Sequence, residues 1–92
     1  MDGRIITVNG KRWRLRYLDM RTCDGECDPP DKPHKEIRIA QRLRKNVTAL
    51  TETLAHEILH AVAWALSEES VEQMAADIAR ILDQEGCLRK EP

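Results

Sequence analysis

Hydrophobic and polar positions alternate along the first part of the chain and recur at helical spacing along the second. Ile5 to Val8 and Lys11 to Leu18 flank Asn9-Gly10, the dipeptide that best tolerates the positive φ of a type I′ turn, so these segments read as a β-hairpin. In that register Val8 faces Lys11 and Ile6 faces Trp13. One face then carries Ile6, Val8, Trp13, Leu15 and Tyr17, and the other Arg12, Arg14 and Arg16. A polar stretch, 19–35, follows with Gly25, Pro29, Pro30 and Pro33 and no periodicity. At that length it reads as a functional or mobile loop. Glu36 to Ala40 reads as a short third strand, with Ile37 and Ile39 on one side and Arg38 opposite.

From about Thr48 to Leu66 there is no Gly or Pro, and Leu50, Leu54, Ile58, Ala61, Val62 and Ala65 form one helical stripe. Ser67 is placed to cap a second helix, with Glu68 and Glu69 in its first turn complementing the dipole. That helix is expected to bury Val71, Met74, Ala75, Ile78, Ile81 and Leu82 and to end at Gly86. The order βββαα predicts an α+β fold: a small three-stranded antiparallel sheet, made of the N-terminal hairpin plus one strand, packed on an α-helical hairpin. Residues 1–92 read as a single domain, with a strand-rich half at 1–45 and a two-helix half at 46–92.

Composition narrows the class. With 41% hydrophobic and 34% charged residues the chain has an ordinary globular balance. The longest uncharged run, Ile58 to Ser67, is about half of a membrane span, and no long apolar segment opens the chain, so no membrane association is expected. Three cysteines make a disulfide framework improbable on number alone and favour a reducing, cytoplasmic setting. The net charge of −1 hides an asymmetry: residues 1–45 carry 12 Lys+Arg against 7 Asp+Glu, and residues 46–92 carry 3 against 9.

The chemistry lies on the first helix. His56-Glu57-Ile58-Leu59-His60 is an H-E-x-x-H sequence, which puts two imidazoles one above the other so that both reach one Zn²⁺. Glu57, beside the first ligand, is placed to act as general base toward a zinc-activated water. A mononuclear site wants a third protein ligand. An uninterrupted helix climbs about 9 Å from His60 to Leu66, and an antiparallel return descends about 7.5 Å by residue 72. On that geometry Glu72 comes level with His60, Glu68 stays a turn too high and Glu69 points outward, so His56, His60 and Glu72 form the expected ligand set.

The segment from Thr53 to Ala61, followed by Glu68-Glu69-Ser70-Val71-Glu72, resembles the small gluzincin-type zinc metallopeptidases, and most closely the minimal proteins of phage and prophage origin. Gly25-Glu26-Cys27-Asp28 before Glu36-Ile37-Arg38-Ile39 extends the likeness over most of the chain. The resemblance implies a three-stranded sheet on the zinc helix, an edge strand able to pair with an extended peptide, His56, His60 and Glu72 as ligands and Glu57 as base. The chain departs from that pattern in having no His or Tyr after His60 to stabilise an oxyanion, for which Tyr17, His34 and Arg80 are the remaining donors. Ala76 stands where many gluzincins have an aspartate.

The expected function is therefore zinc-dependent hydrolysis of peptide bonds in a peptide or protein substrate. Two rivals remain: a non-catalytic zinc-stabilised interaction module, and a nucleic-acid-binding regulator using the arginine row. Near-neutral charge and strand alternation, which puts Trp13 and Tyr17 opposite the arginines, make nucleic acid the weaker partner. Cys23 and Cys27, with His34 following, have zinc-ligand spacing but no clear fourth ligand. They read as loop thiols, with a second structural metal or occlusion of the catalytic zinc as alternatives. Cys87 reads as a small apolar residue near a helix end.

Overall fold

The computed structural model describes residues 3–88. β1 (Arg4–Val8) and β2 (Lys11–Leu18) pair antiparallel, Ile6 opposite Trp13 and Val8 opposite Lys11. Asn9 and Gly10 take φ of 51° and 77°, the left-handed pair that a type I′ turn requires. The inward face is the one the alternation predicts. Val8, Trp13 and Leu15 are buried, Ile6 and Tyr17 pack partly buried against them, and Arg12 and Arg14 are exposed.

The sheet is not the expected three-stranded antiparallel one. It has four strands in the order β1-β2-β4-β3, where β3 is Gly25–Cys27 and β4 is Glu36–Ala40. β4 runs parallel to β2, with Leu15 opposite Ile37 and Tyr17 opposite Ile39, and antiparallel to β3. The physical reason lies in residues 19–35. Parallel neighbours need a crossover of a dozen or more residues, and this segment supplies it while contributing β3 on the way. A three-residue strand leaves no periodicity to read. One consequence is that β4 is an interior strand and not an edge. Ile37, Ile39 and Ala40 are fully buried, and the open edge beside them belongs to β3.

The crossover is held by a buried carboxylate. Asp28, 6% exposed, accepts from the Glu36 backbone N–H at 2.8 Å, from Arg38 Nη2 at 2.7 Å and from Lys32 Nζ at 3.3 Å. Arg38 also donates to Glu26 and Glu36 on the outer face of the sheet. These charge-assisted bonds hold the Asp28 carboxyl down at about 2, the Arg38 bond contributing most.

A 3₁₀ turn, Gln41–Lys45, buries Leu43 and leads to α1 (Val47–Val62), capped by the Asn46 side chain accepting from Ala49 N–H at 3.0 Å. α1 lies on the inner face of the sheet through Leu50, Leu54 and Ala61. It is rotated from the expected stripe. Glu57 is buried, whereas Ile58 (36%) and Val62 (48%) are exposed. The helix also stops four residues early. Ala63 leaves helical geometry and Leu66 N–H bonds back to Ala63 carbonyl oxygen at 3.0 Å. Nothing in Ala63-Trp64-Ala65-Leu66 ends a helix by propensity; the stop comes from tertiary packing, because α2 (Glu68–Gln84) returns against α1.

Ser67 caps α2 as expected, accepting from Ser70 N–H at 3.1 Å. The buried stripe is Val71, Ala75 and Ala79. Ile78 and Ile81, expected inside, are 38% and 49% exposed, since small residues bring the two helices together and leave the larger ones at the margin. Gly86 (φ 82°) closes the helix, with Cys87 N–H on Leu82 carbonyl oxygen and Gly86 N–H on that of Asp83, a Schellman arrangement. No helix among the described residues is long and apolar enough to cross a membrane.

Candidate metal centre

His56 and His60 sit one turn apart on α1 and turn their Nε2 atoms toward each other, 3.2 Å apart, with rings edge to face at 4.9 Å. Glu68, the first residue of α2, closes the group: Oε1 is 2.7 Å from His56 Nε2 and Oε2 is 3.0 Å from His60 Nε2. Among the described residues these three form the one cluster of at least three His, Cys, Asp or Glu whose ligand atoms all lie within 4.8 Å of one another.

The early end of α1 explains why Glu68 is there. His60 lies two residues, about 3 Å, below the last residue of the helix rather than about 9 Å below a helix end at Leu66. The first turn of α2 therefore starts level with the histidines. Glu72, the residue expected to complete the set, lies one turn further along α2, outside the histidine–Glu68 cluster, and lines an adjoining cavity with His56, Glu57, Asp24 and Glu52.

Glu57 is 6% exposed and accepts no hydrogen bond from the described residues. Burial pushes its carboxyl above the ordinary range, opposed by the nearby His56 and His60. It stands against β3. A Cβ on Gly25 would meet Glu57 Oε2 and Thr53 Cγ2, each at 3.0 Å, so the absence of a side chain at Gly25 lets the edge strand approach α1. This role for Gly25 was hidden in the sequence, where it read as one more loop glycine.

The cluster opens into a cavity of about 540 Å³ between β3 and α1, with Trp64 and Leu66 at its mouth. Cys27 lines it too. Its thiol is pushed up to about 12, chiefly by burial and then by the charges of Glu57 and Asp28, so the free thiol is a poor nucleophile at neutral pH. Cys23, Cys27 and His34 do not converge into a second metal group. His34, at a left-handed φ of 56°, lines a separate cavity with Trp13 and Lys35. Of the other donors considered for an oxyanion, Tyr17 is covered by the Arg44 guanidinium 3.9 Å from its ring centroid, and Arg80 pairs with Asp77 at 3.1 Å. Neither lines the cavity.

The comparison with protein families matches residues 6–74, from β1 through the first part of α2, to the SprT-like family. The chain belongs to the SprT-like family. That family comprises metallopeptidase-like zinc-binding domains, and the matched span of this SprT-like chain contains the whole histidine–glutamate cluster and Glu57. No curated protein and no solved structure shows significant similarity to it.

The donors fit zinc. Two imidazole nitrogens and a carboxylate oxygen are the composition of catalytic zinc sites that keep a position open. Tetrahedral ligands about 2.1 Å from an ion lie roughly 3.4 Å apart, close to the separation of the two Nε2 atoms.

Proposed function

We propose that this SprT-like chain is a zinc-dependent metallopeptidase that hydrolyses peptide bonds, with His56, His60 and Glu68 holding the metal and Glu57 as general base. The observation that carries the reading is the convergence of His56 and His60 on Glu68 beside the buried Glu57. A glutamate as third ligand keeps the site gluzincin-like, and the likeness to small phage-associated proteins of that type belongs to the same proposal. When bound, zinc supplies a Lewis acid that makes a water acidic near neutral pH. Glu57 takes the proton, a task suited to a carboxylate whose pKa is raised by burial. On this reading β3 holds the peptide. Asp28 N–H bonds Glu36 and Asp24 carbonyl accepts from Ala40, so alternation directs the main-chain groups of Gly25 and Cys27 to the open edge, where an extended chain can add to the sheet.

A non-catalytic zinc module needs the ligands but gains nothing from a buried, unbonded Glu57. Nucleic-acid binding through the hairpin is disfavoured because Trp13 is 1% exposed and Tyr17 is covered by Arg44. Free thiols at Cys23, Cys27 and Cys87 suit the cytoplasmic setting proposed for the activity. The test is metal content and cleavage of a peptide library by wild type and Glu57→Gln. Retained zinc with lost hydrolysis supports the assignment; equal hydrolysis by both proteins removes Glu57 from the mechanism.

A further inference from the structure

The groove between β3 and α1 differs in chemistry from one end to the other, and both of its walls agree on the order. Asp24 lines only the smaller cavity of about 250 Å³, Gly25 lines both, and Cys27 lines only the larger one. Along α1, Glu52 lines the smaller cavity, His56 and Glu57 line both, and His60 and Trp64 line the larger. The two cavities are therefore successive parts of one groove, with Glu57 at the junction. Glu57 itself is buried and accepts no hydrogen bond from the described residues.

At one end stand carboxylates. Asp24 is paired with Arg42 at 2.8 Å, but Glu52 and Glu72 form no ion pair among the described residues. At the other end the two further carboxylates are engaged, Glu26 by Arg38 at 3.0 Å and Glu68 by His56 and His60, and Trp64 and Leu66 are 48% and 40% exposed. They ride on the connection between the helices, held in place by Ala63 N–H on Leu59 carbonyl oxygen at 2.8 Å and by the Leu66–Ala63 bond. Trp64 also lies edge to face with His60, ring centroids 6.2 Å apart. No lysine or arginine among the described residues lines either cavity, so an acidic peptide meets like charge along the whole groove.

We propose that this groove selects peptides carrying a Lys or Arg on one side of the scissile bond and a large apolar residue on the other. The proposal rests on the peptidase reading of the same site. Glu52 lies five helical residues before Glu57, and the end of α1 lies five after it, about 7.5 Å each way. At about 3.3 Å per extended residue, each selected side chain sits two to three positions from the bond that is cut.

The experiment uses the zinc-loaded full chain and a quenched fluorescent peptide library that varies those positions in both orders. Wild type is expected to favour the basic/apolar pair by roughly five- to tenfold in kcat/KM on each side. Glu52→Lys should abolish or invert the basic preference and leave the apolar one intact. Leu66→Ser and Trp64→Ala should do the opposite. Uniform loss across all peptides in these variants, or cleavage without preference, overturns the proposal. Should wild type cleave nothing, binding of the same peptides by calorimetry separates the two readings. Selective binding keeps the groove and removes hydrolysis, and absence of selective binding removes the groove as well.

Discussion

Gly25 and Glu57 are in such close approach that a single methyl group on the glycine would stand 3.0 Å from the Glu57 carboxylate oxygen. This contact ties the open edge of the sheet to the proposed general base. It turns a backbone property of one residue into a property of the candidate site.

Gly25→Ala should therefore displace either β3 or the Glu57 carboxylate. We expect kcat on a cleaved peptide to fall about tenfold or more, since small misplacement of a catalytic group is costly. Overpacking should cost about 1–3 kcal/mol of stability, read by denaturant unfolding, while zinc content stays the same. Unchanged kcat would show that Glu57 is free to move aside.

Glu68 and Glu72 separate by metal affinity. Glu68→Ala should weaken zinc sharply in chelator competition, because it removes the carboxylate whose two oxygens meet the two histidines. Glu72→Ala should leave affinity within a few-fold. Excess zinc should raise Tm in wild type and in Glu72→Ala, and much less in Glu68→Ala, since a ligand that binds only the folded state stabilises it. The reverse ranking would move the third ligand one turn along α2.

Asp28 gives the fold an acid-sensitive tie. Its carboxyl is held down at about 2 against an ordinary 3.8. A depressed carboxyl contributes stability that is complete above the unfolded value and is lost as pH falls through the folded one. The loss should amount to about 2 kcal/mol between pH 4 and pH 2. Asp28→Asn should lower stability at neutral pH by a similar amount and flatten this part of the pH profile, measured by urea unfolding. A parallel profile in the variant would mean that other carboxylates carry the acid response.

Ile37→Pro tests the place of β4. In an interior strand a proline removes a ladder bond and finds no room, so the variant should lose about 3 kcal/mol or more and fail to fold by circular dichroism. A stable, folded Ile37→Pro protein would return β4 to the edge of the sheet.

The hairpin, the capping of α2 at Ser67 and the approach of His56 to His60 on one face of α1 were all legible in the sequence because each is a local matter. Asn9-Gly10 sets its own turn, Ser67 reaches its own helix, and residues four apart on a helix share a face wherever the helix goes. The family resemblance led in the same direction, to metallopeptidase-like zinc-binding domains, though the family matched is the SprT-like one. Residues 19–35 were less legible. The strand they contain has three residues, too few to show alternation, and the aspartate that organises the crossover does so through Glu36 and Arg38, eight and ten positions away.

What the sequence determined by itself was thus the set of elements with strong short-range signatures and the placing of His56, Glu57 and His60 together on one helix. Tertiary structure decided the rest. Parallel pairing of β4 with β2 depends on where a long crossover carries the chain, and no residue pattern within β4 encodes its neighbours. The rotation of α1 that buries Glu57 and exposes Ile58 and Val62 follows from being packed by a sheet and a second helix at once. The end of α1 at Val62 comes from the return of α2, against the helical propensity of the residues that follow. That early end shortens the climb from His60 by about 6 Å and brings Glu68, rather than Glu72, to the histidines.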